Sequence, residues 1–178
     1  MGRSPNELVA RGGTRIRRVL LGHREGVAGT VYGTIIVMAT VAAGSRGDET
    51  DAGTLAVFTA TTVMVLWVAH VYAHGLAEGL RRGTRLRARE LLTVAHHELS
   101  IPLAAIAPVA SLVLAELGAI GPRTAIWLAL CFGVATLAFQ GARYAALEHM
   151  GRLEGAVSVA LNVGLGLVIV LLEATLTH

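Results

Sequence analysis

The stretch from Thr54 to Ala77, TLAVFTATTVMVLWVAHVYAHGLA, contains no Asp, Glu, Lys or Arg, and it runs into RRGTRLRAR from Arg81 to Arg89. A helix needs about 20 mostly apolar residues to cross a hydrocarbon core of roughly 30 Å. The stretch is long enough to span, and the basic run behind it is the kind that stays on the cytoplasmic side. Working outward, four more windows of similar character appear: Val27 to Gly44, Ile101 to Ile120 with Glu116 inside it, Thr124 to Ala142, and Gly155 to Leu172. The expectation is an all-α polytopic membrane protein, a bundle of five transmembrane helices (27–44, 54–77, 101–120, 124–142, 155–172) with a short cytoplasmic amphipathic segment. Residues 1–26 read as a basic cytoplasmic lead-in, and 27–178 as a single transmembrane domain.

Composition agrees. Of 178 residues, 54% are hydrophobic and 15% charged, too apolar for an ordinary soluble domain. The 21 glycines suit close helix packing in lipid. The single cysteine, Cys131, excludes an internal disulfide and a multi-cysteine metal or iron-sulfur site. All basic residues are Arg, and their placement fixes an orientation. Arg3, Arg11, Arg15, Arg17, Arg18 and Arg24, then Arg81, Arg82, Arg85, Arg87 and Arg89, then Arg143 and Arg152 fall on one side; only Arg46 and Arg123 fall on the other, beside Asp48, Glu49 and Asp51. This predicts a plasma-membrane protein with N-terminus cytoplasmic and C-terminus external. A cleaved signal peptide ending near Val41, Ala42 and Ala43 is the competing reading of the first span, disfavoured by the long basic region before it. The basic balance comes from these topology-setting arginines, so it implies a bilayer with anionic headgroups as partner and no nucleic acid.

Between the second and third spans, Arg87 to Leu99 can form an interfacial amphipathic helix or stay a solvated charged loop. Ser100 followed by Pro102 suggests a hydroxyl-capped helix start, and Pro108 predicts a kink inside the third span.

Counting about 1.5 Å per residue from each boundary places Tyr32 and Asn162 at the same cytoplasmic-side level as His70 and Gln140. A polar cluster of Tyr32, His70, Gln140 and Asn162 is the expectation. The ordinary alternative is interhelical hydrogen-bond glue for Gln140 and Asn162 and a hydrogen-bonded neutral imidazole for His70. His74 stacks one turn beyond His70 on the same helix face. Glu116 is expected to stand alone in the outer half, roughly 8 Å below the surface, and an intramembrane carboxylate is by default a functional candidate. The pairs Gly29 with Gly33 and Gly164 with Gly166 read as packing notches.

The i, i+4 pair His70 and His74 has metal-ligand spacing, but Val71 stands where a zinc-hydrolase helix carries Glu, so the signal is weak. His96 and His97 resemble a fragment of a di-iron histidine box without its companions. Only the second span has buried histidines, so an axial pair for haem is missing. No phosphate loop or nucleophile elbow is present, and no cofactor is expected. What remains is a proton or small cation moving past Glu116 and the His70 to His74 face, in a homo-oligomer and with pH dependence, or a non-catalytic accessory or assembly subunit of a membrane complex.

The string WVAHVYAHGL from Trp67 to Leu76, the basic amphipathic linker, and LNVGLGLVIVLLEATL from Leu161 to Leu176 together resemble small multi-span integral membrane proteins of high-GC actinobacteria. The likeness covers most of the chain. It implies a helical membrane protein and carries over neither an activity nor any catalytic or binding residue.

Overall fold

The computed structural model describes residues 25–45, 51–83 and 88–176. Most of the basic lead-in, the loop with Arg46, Asp48 and Glu49, and Arg85 and Arg87 lie outside the described residues. The described elements are all helical: α1 (Glu25–Gly44), α2 (Ala52–Arg82), α3 (Ala88–His97), α4 (Ser100–Leu103), α5 (Ile106–Glu116), α6 (Pro122–Leu147) and α7 (Arg152–Leu176). Four of them, α1, α2, α6 and α7, are individually long and apolar enough to cross a membrane, and α3 to α5 form a fifth, bent candidate.

Helix α2 outruns the apolar window at both ends. At its start the Asp51 carboxylate accepts hydrogen bonds from the Thr54 N–H (2.8 Å) and hydroxyl (2.7 Å), a side-chain cap that satisfies an orphan donor. Those two bonds, the hydroxyl's first, hold the Asp51 carboxyl below its ordinary value. At its end Gly83 takes a left-handed conformation (φ 63°) and its N–H reaches back to the Gly79 and Leu80 carbonyls. The 31 residues between give a rod of about 46 Å, longer than a hydrocarbon core of roughly 30 Å. In α1 the hydroxyls of Thr30, Thr34 and Thr40 each donate to the carbonyl four residues back, which lets them sit in an apolar helix.

The third pass is broken. Proline at 108 has no N–H to offer the Ala104 carbonyl and its ring crowds that group, so the helix parts at Ala104 and Ala105 and the two pieces diverge by 49°. The expected hydroxyl cap at Ser100 is not formed. The chain stays helical through the junction, with Leu99 at φ −59°, ψ −18° and the Ile101 N–H bonded to the Glu98 carbonyl, so no free helix start exists for Ser100 to cap. Its hydroxyl is instead buried without a hydrogen-bond partner.

The bent segment nonetheless traverses the whole bundle. Its first end lies against α2 at His70 and His74, through Glu98, and its last end lies against Gly53, through Glu116. Those points on α2 are about 26 to 32 Å apart at the helical rise. A re-entrant loop would return to its starting level; this segment ends a bundle length away. Counted as one broken span, it brings the apolar passes among the described residues to five.

Two turns connect the later helices. Gly118, at φ 73°, follows α5, with the Ala119 N–H on the Leu114 carbonyl and the Gly118 N–H on Ala115. This double bond pattern closes the helix end. Pro122 then starts α6 at a position where its missing N–H costs nothing. After α6 the same device recurs, the Met150 N–H bonding the Ala145 carbonyl, but the left-handed residue is His149 (φ 53°). A residue with a Cβ is strained there. His149→Gly is expected to raise stability by about 0.5–1 kcal/mol, the relief of that strain less the entropy of glycine in the unfolded chain; thermal unfolding in detergent checks it. Helix α7 opens with Glu154 accepting the Gly151 N–H at 3.1 Å, half of a capping box.

Helix α1 sits at the centre, packed on α2, α4, α6 and α7, while α7 touches α6 and α1 and is the least buried of the long helices. The core is built of Val37, Met38, Val41, Leu55, Val63, Ile101, Leu112, Leu130 and Leu137 with small alanines. Glycines set the approach distances. A Cβ on Gly33 would lie 2.5 Å from the Ile101 carbonyl oxygen, one on Gly141 would lie 2.9 Å from the Val159 Cα, and one on Gly133 would collide with the Met38 side chain. Gly29 and Gly166 are notches too, the latter against Leu137 and Val134. Gly164 is not: a Cβ there meets nothing within 4 Å. Outward, Val57, Phe58, Val65, Val68, Leu128, Phe132, Phe139, Leu161, Leu165 and Val168 form an apolar exterior suited to hydrocarbon.

Candidate functional site

Three ionisable side chains from two separate segments converge near the C-terminal end of α2. His70 and His74 share a face one turn apart, and Glu98 reaches them from the short link between α3 and α4. The His70 Nε2 lies 3.6 Å from Glu98 Oε2, and the His74 Nδ1 lies 3.3 Å from Glu98 Oε1. The two imidazoles meet edge to face, with ring centroids 4.5 Å apart, and Tyr32 of α1 stacks on His70 at 5.5 Å. One candidate ligand atom from each of His70, His74 and Glu98 lies within 4.8 Å of the others.

The local fold explains the convergence. Gly29 and Gly33 let α4 press against α1, and a Cβ at Gly29 would clash with the Ser100 hydroxyl and lie 3.3 Å from Glu98 Oε2. The carboxylate is thus seated over a glycine, turned toward α2, and only 17% exposed. Helix α3 carries no buried residue, with Leu91 and Val94 half-covered and Arg89, Thr93, His96 and His97 outward. It is the amphipathic segment expected of the linker.

Of the four residues expected to cluster, Tyr32 and His70 meet. Gln140 and Asn162 do not join them. Gln140 is buried on α6 and accepts a hydrogen bond from Arg143 at 3.4 Å; the Asn162 amide donates to the Ser158 carbonyl of its own helix and lines an open groove of about 620 Å³ with Tyr144 and Leu161. The count along each helix sets these groups at one level, but they lie on helix faces that do not meet. Two serines lie between neighbouring passes: the Ser111 hydroxyl is 2.7 Å from the Pro108 carbonyl and 3.1 Å from that of Ala125, and Ser158 donates to the Gly141 carbonyl at 3.1 Å.

Glu116 departs further from expectation. It does not stand alone within a helix. The chain leaves α5 at Leu117, so Glu116 occupies the last turn, exposed, and its carboxylate accepts the Gly53 N–H at 3.0 Å. There it complements the positive end of α2. The expected single path past Glu116 and the histidines therefore joins opposite ends of α2, with buried Thr59, Val63 and Leu112 in the core between those levels.

Glu98 was read from the sequence only as one of the titratable groups, with His96 and His97, just before the third span, and not as a partner of His70 and His74. It was visible in the run His96-His97-Glu98, but the neighbouring histidines lie outside the three-residue group. Chemically, a carboxylate flanked by two imidazoles can hold a proton between them or supply one oxygen and two nitrogens to a cation. No family model, curated protein or solved structure matches the chain.

Proposed function

We propose that the chain is an integral membrane protein that passes protons or small cations, with Tyr32, His70, His74 and Glu98 as its station at the cytoplasmic end and Glu116 at the other. The convergence of His70, His74 and Glu98 within 4.8 Å carries this reading, because ionisable groups gathered at the end of an apolar bundle are costly unless paired or wetted. The arginine distribution supports the orientation: Arg81, Arg89, Arg143 and Arg152 lie at the histidine end and Arg123 at the other. Because apolar side chains fill the core between the two ends, the path runs between copies in a homo-oligomer.

Flux across proteoliposomes between about pH 5 and 8, where histidine changes charge, tests this. Glu98→Gln and His70→Ala are expected to lower flux about tenfold or more, the effect of losing an interaction worth about 1.4 kcal/mol. Glu116→Gln keeps an acceptor for Gly53 and loses only the charge, so its effect is smaller. Background flux in the wild type and all three variants overturns the reading. The same packed core favours the second reading, an accessory subunit whose polar groups only satisfy one another; it predicts no flux and a co-purifying partner.

A further inference from the structure

We infer that His70, His74 and Glu98 form a binding site for a divalent transition metal of the zinc class. This rests on the reading of the cluster as a cation station and specifies the cation. The donor set decides the class. Two imidazole nitrogens and one carboxylate suit zinc and its neighbours, whereas magnesium and calcium require six or more oxygens, of which the cluster offers two.

The distances fit. Zinc bonds of about 2.0–2.1 Å in a tetrahedron place neighbouring donors about 3.3 Å apart. The two histidines lie 3.6 and 3.3 Å from different oxygens of the Glu98 carboxylate, and one donor from each residue lies within 4.8 Å of the others. Small rotations of the rings close the remainder. The frame is already held: the i, i+4 spacing fixes the two histidines on one helix face, Tyr32 stacks on the His70 ring, and Gly29 lies beneath Glu98. The site opens to the outside of the bundle, since the His74 side chain is 55% exposed and that of His70 31%.

Three protein ligands leave the fourth tetrahedral position to water or an incoming ligand. With Val71 after His70, no carboxylate occupies the place from which a hydrolase helix deprotonates that water. The site is therefore suited to capture and release of the ion.

The test uses the full chain, stripped of metal with chelator and kept in detergent. Cobalt(II) is titrated as a coloured probe, then displaced with zinc, and zinc binding is measured by calorimetry. One ion per chain is expected, with visible absorption of four-coordinate intensity. Glu98→Gln, which keeps the side-chain shape, and His74→Ala are each expected to weaken binding by more than about 100-fold, beyond the 10–100-fold that loss of an outer partner costs. Gly29→Ala, which displaces the Ser100 hydroxyl and crowds Glu98 but removes no donor atom, is expected to weaken it less. The double variant His96→Ala with His97→Ala is expected to bind as the wild type does. Wild-type affinity in Glu98→Gln, loss of binding in the His96 and His97 variant, or no binding in the wild type each overturns the proposal. Binding without flux would sustain the metal site while sinking the conduit; flux without binding would do the reverse.

Discussion

Replacing Gly33 with leucine should prevent the protein from reaching its folded state, leaving aggregated material and no monodisperse peak in size-exclusion chromatography. Even alanine would set its Cβ 2.5 Å from the Ile101 oxygen and 2.9 Å from the Ile101 Cα. Both obstacles are backbone, in a buried residue at the start of the broken pass, so neither can rotate away. Overpacking costs typically 1–3 kcal/mol where side chains can adjust; here α1 and α4 must separate, and the cost exceeds that range. Separation also draws Glu98 from the histidines, so any surviving Gly33→Ala protein is expected to lose the cation site before its helical content. Gly164→Ala, where a Cβ meets nothing, is the control and is expected to behave as wild type.

The second large effect is expected from Leu112→Ala. Leu112 is fully buried in the core, on α5 one position after Ser111, whose hydroxyl bridges toward α6. Large-to-small changes at such sites cost about 2–5 kcal/mol, from lost contacts and the cavity left behind. Helix α5 has only 11 residues and a break at its start, so little of its own backbone bonding offsets the loss. Chemical denaturation in mixed micelles is expected to show a midpoint well below that of the wild type. The exposed neighbour Leu117→Ala should move it little.

The apolar passes were legible because they follow from a one-dimensional count, apolar length against bilayer thickness. Helix ends were less legible, since α2 continues through Glu78 and Arg81 to the first left-handed residue, Gly83, while an apolar window stops at the first charge. The kink at Pro108 could be read in kind but not in place, because the ring disturbs the carbonyl four residues earlier. Azimuth was the main loss. Tyr32, His70, Gln140 and Asn162 were matched by depth, and nothing in a single sequence says which way α6 and α7 rotate their polar faces. Glu98 was hidden for a related reason: its partners lie 24 and 28 residues earlier, across a connection whose path no local pattern encodes.

The shallow burial of α7 has a consequence for how the bundle comes apart. Stability in a folded chain is distributed in cooperative units, and the unit with the fewest buried contacts opens first. Helix α7 meets α6 at Gly141, whose carbonyl accepts the Ser158 hydroxyl, and reaches the Leu137 and Met38 patch through Gly166, while most of its apolar window faces outward. The proposed ligands His70, His74 and Glu98 belong to α2 and the α3 to α4 link, whereas α7 packs mainly on α6 and α1. Local opening of α7 is therefore expected to leave the proposed ligands in place, and hydrogen exchange should show α7 exchanging before α2.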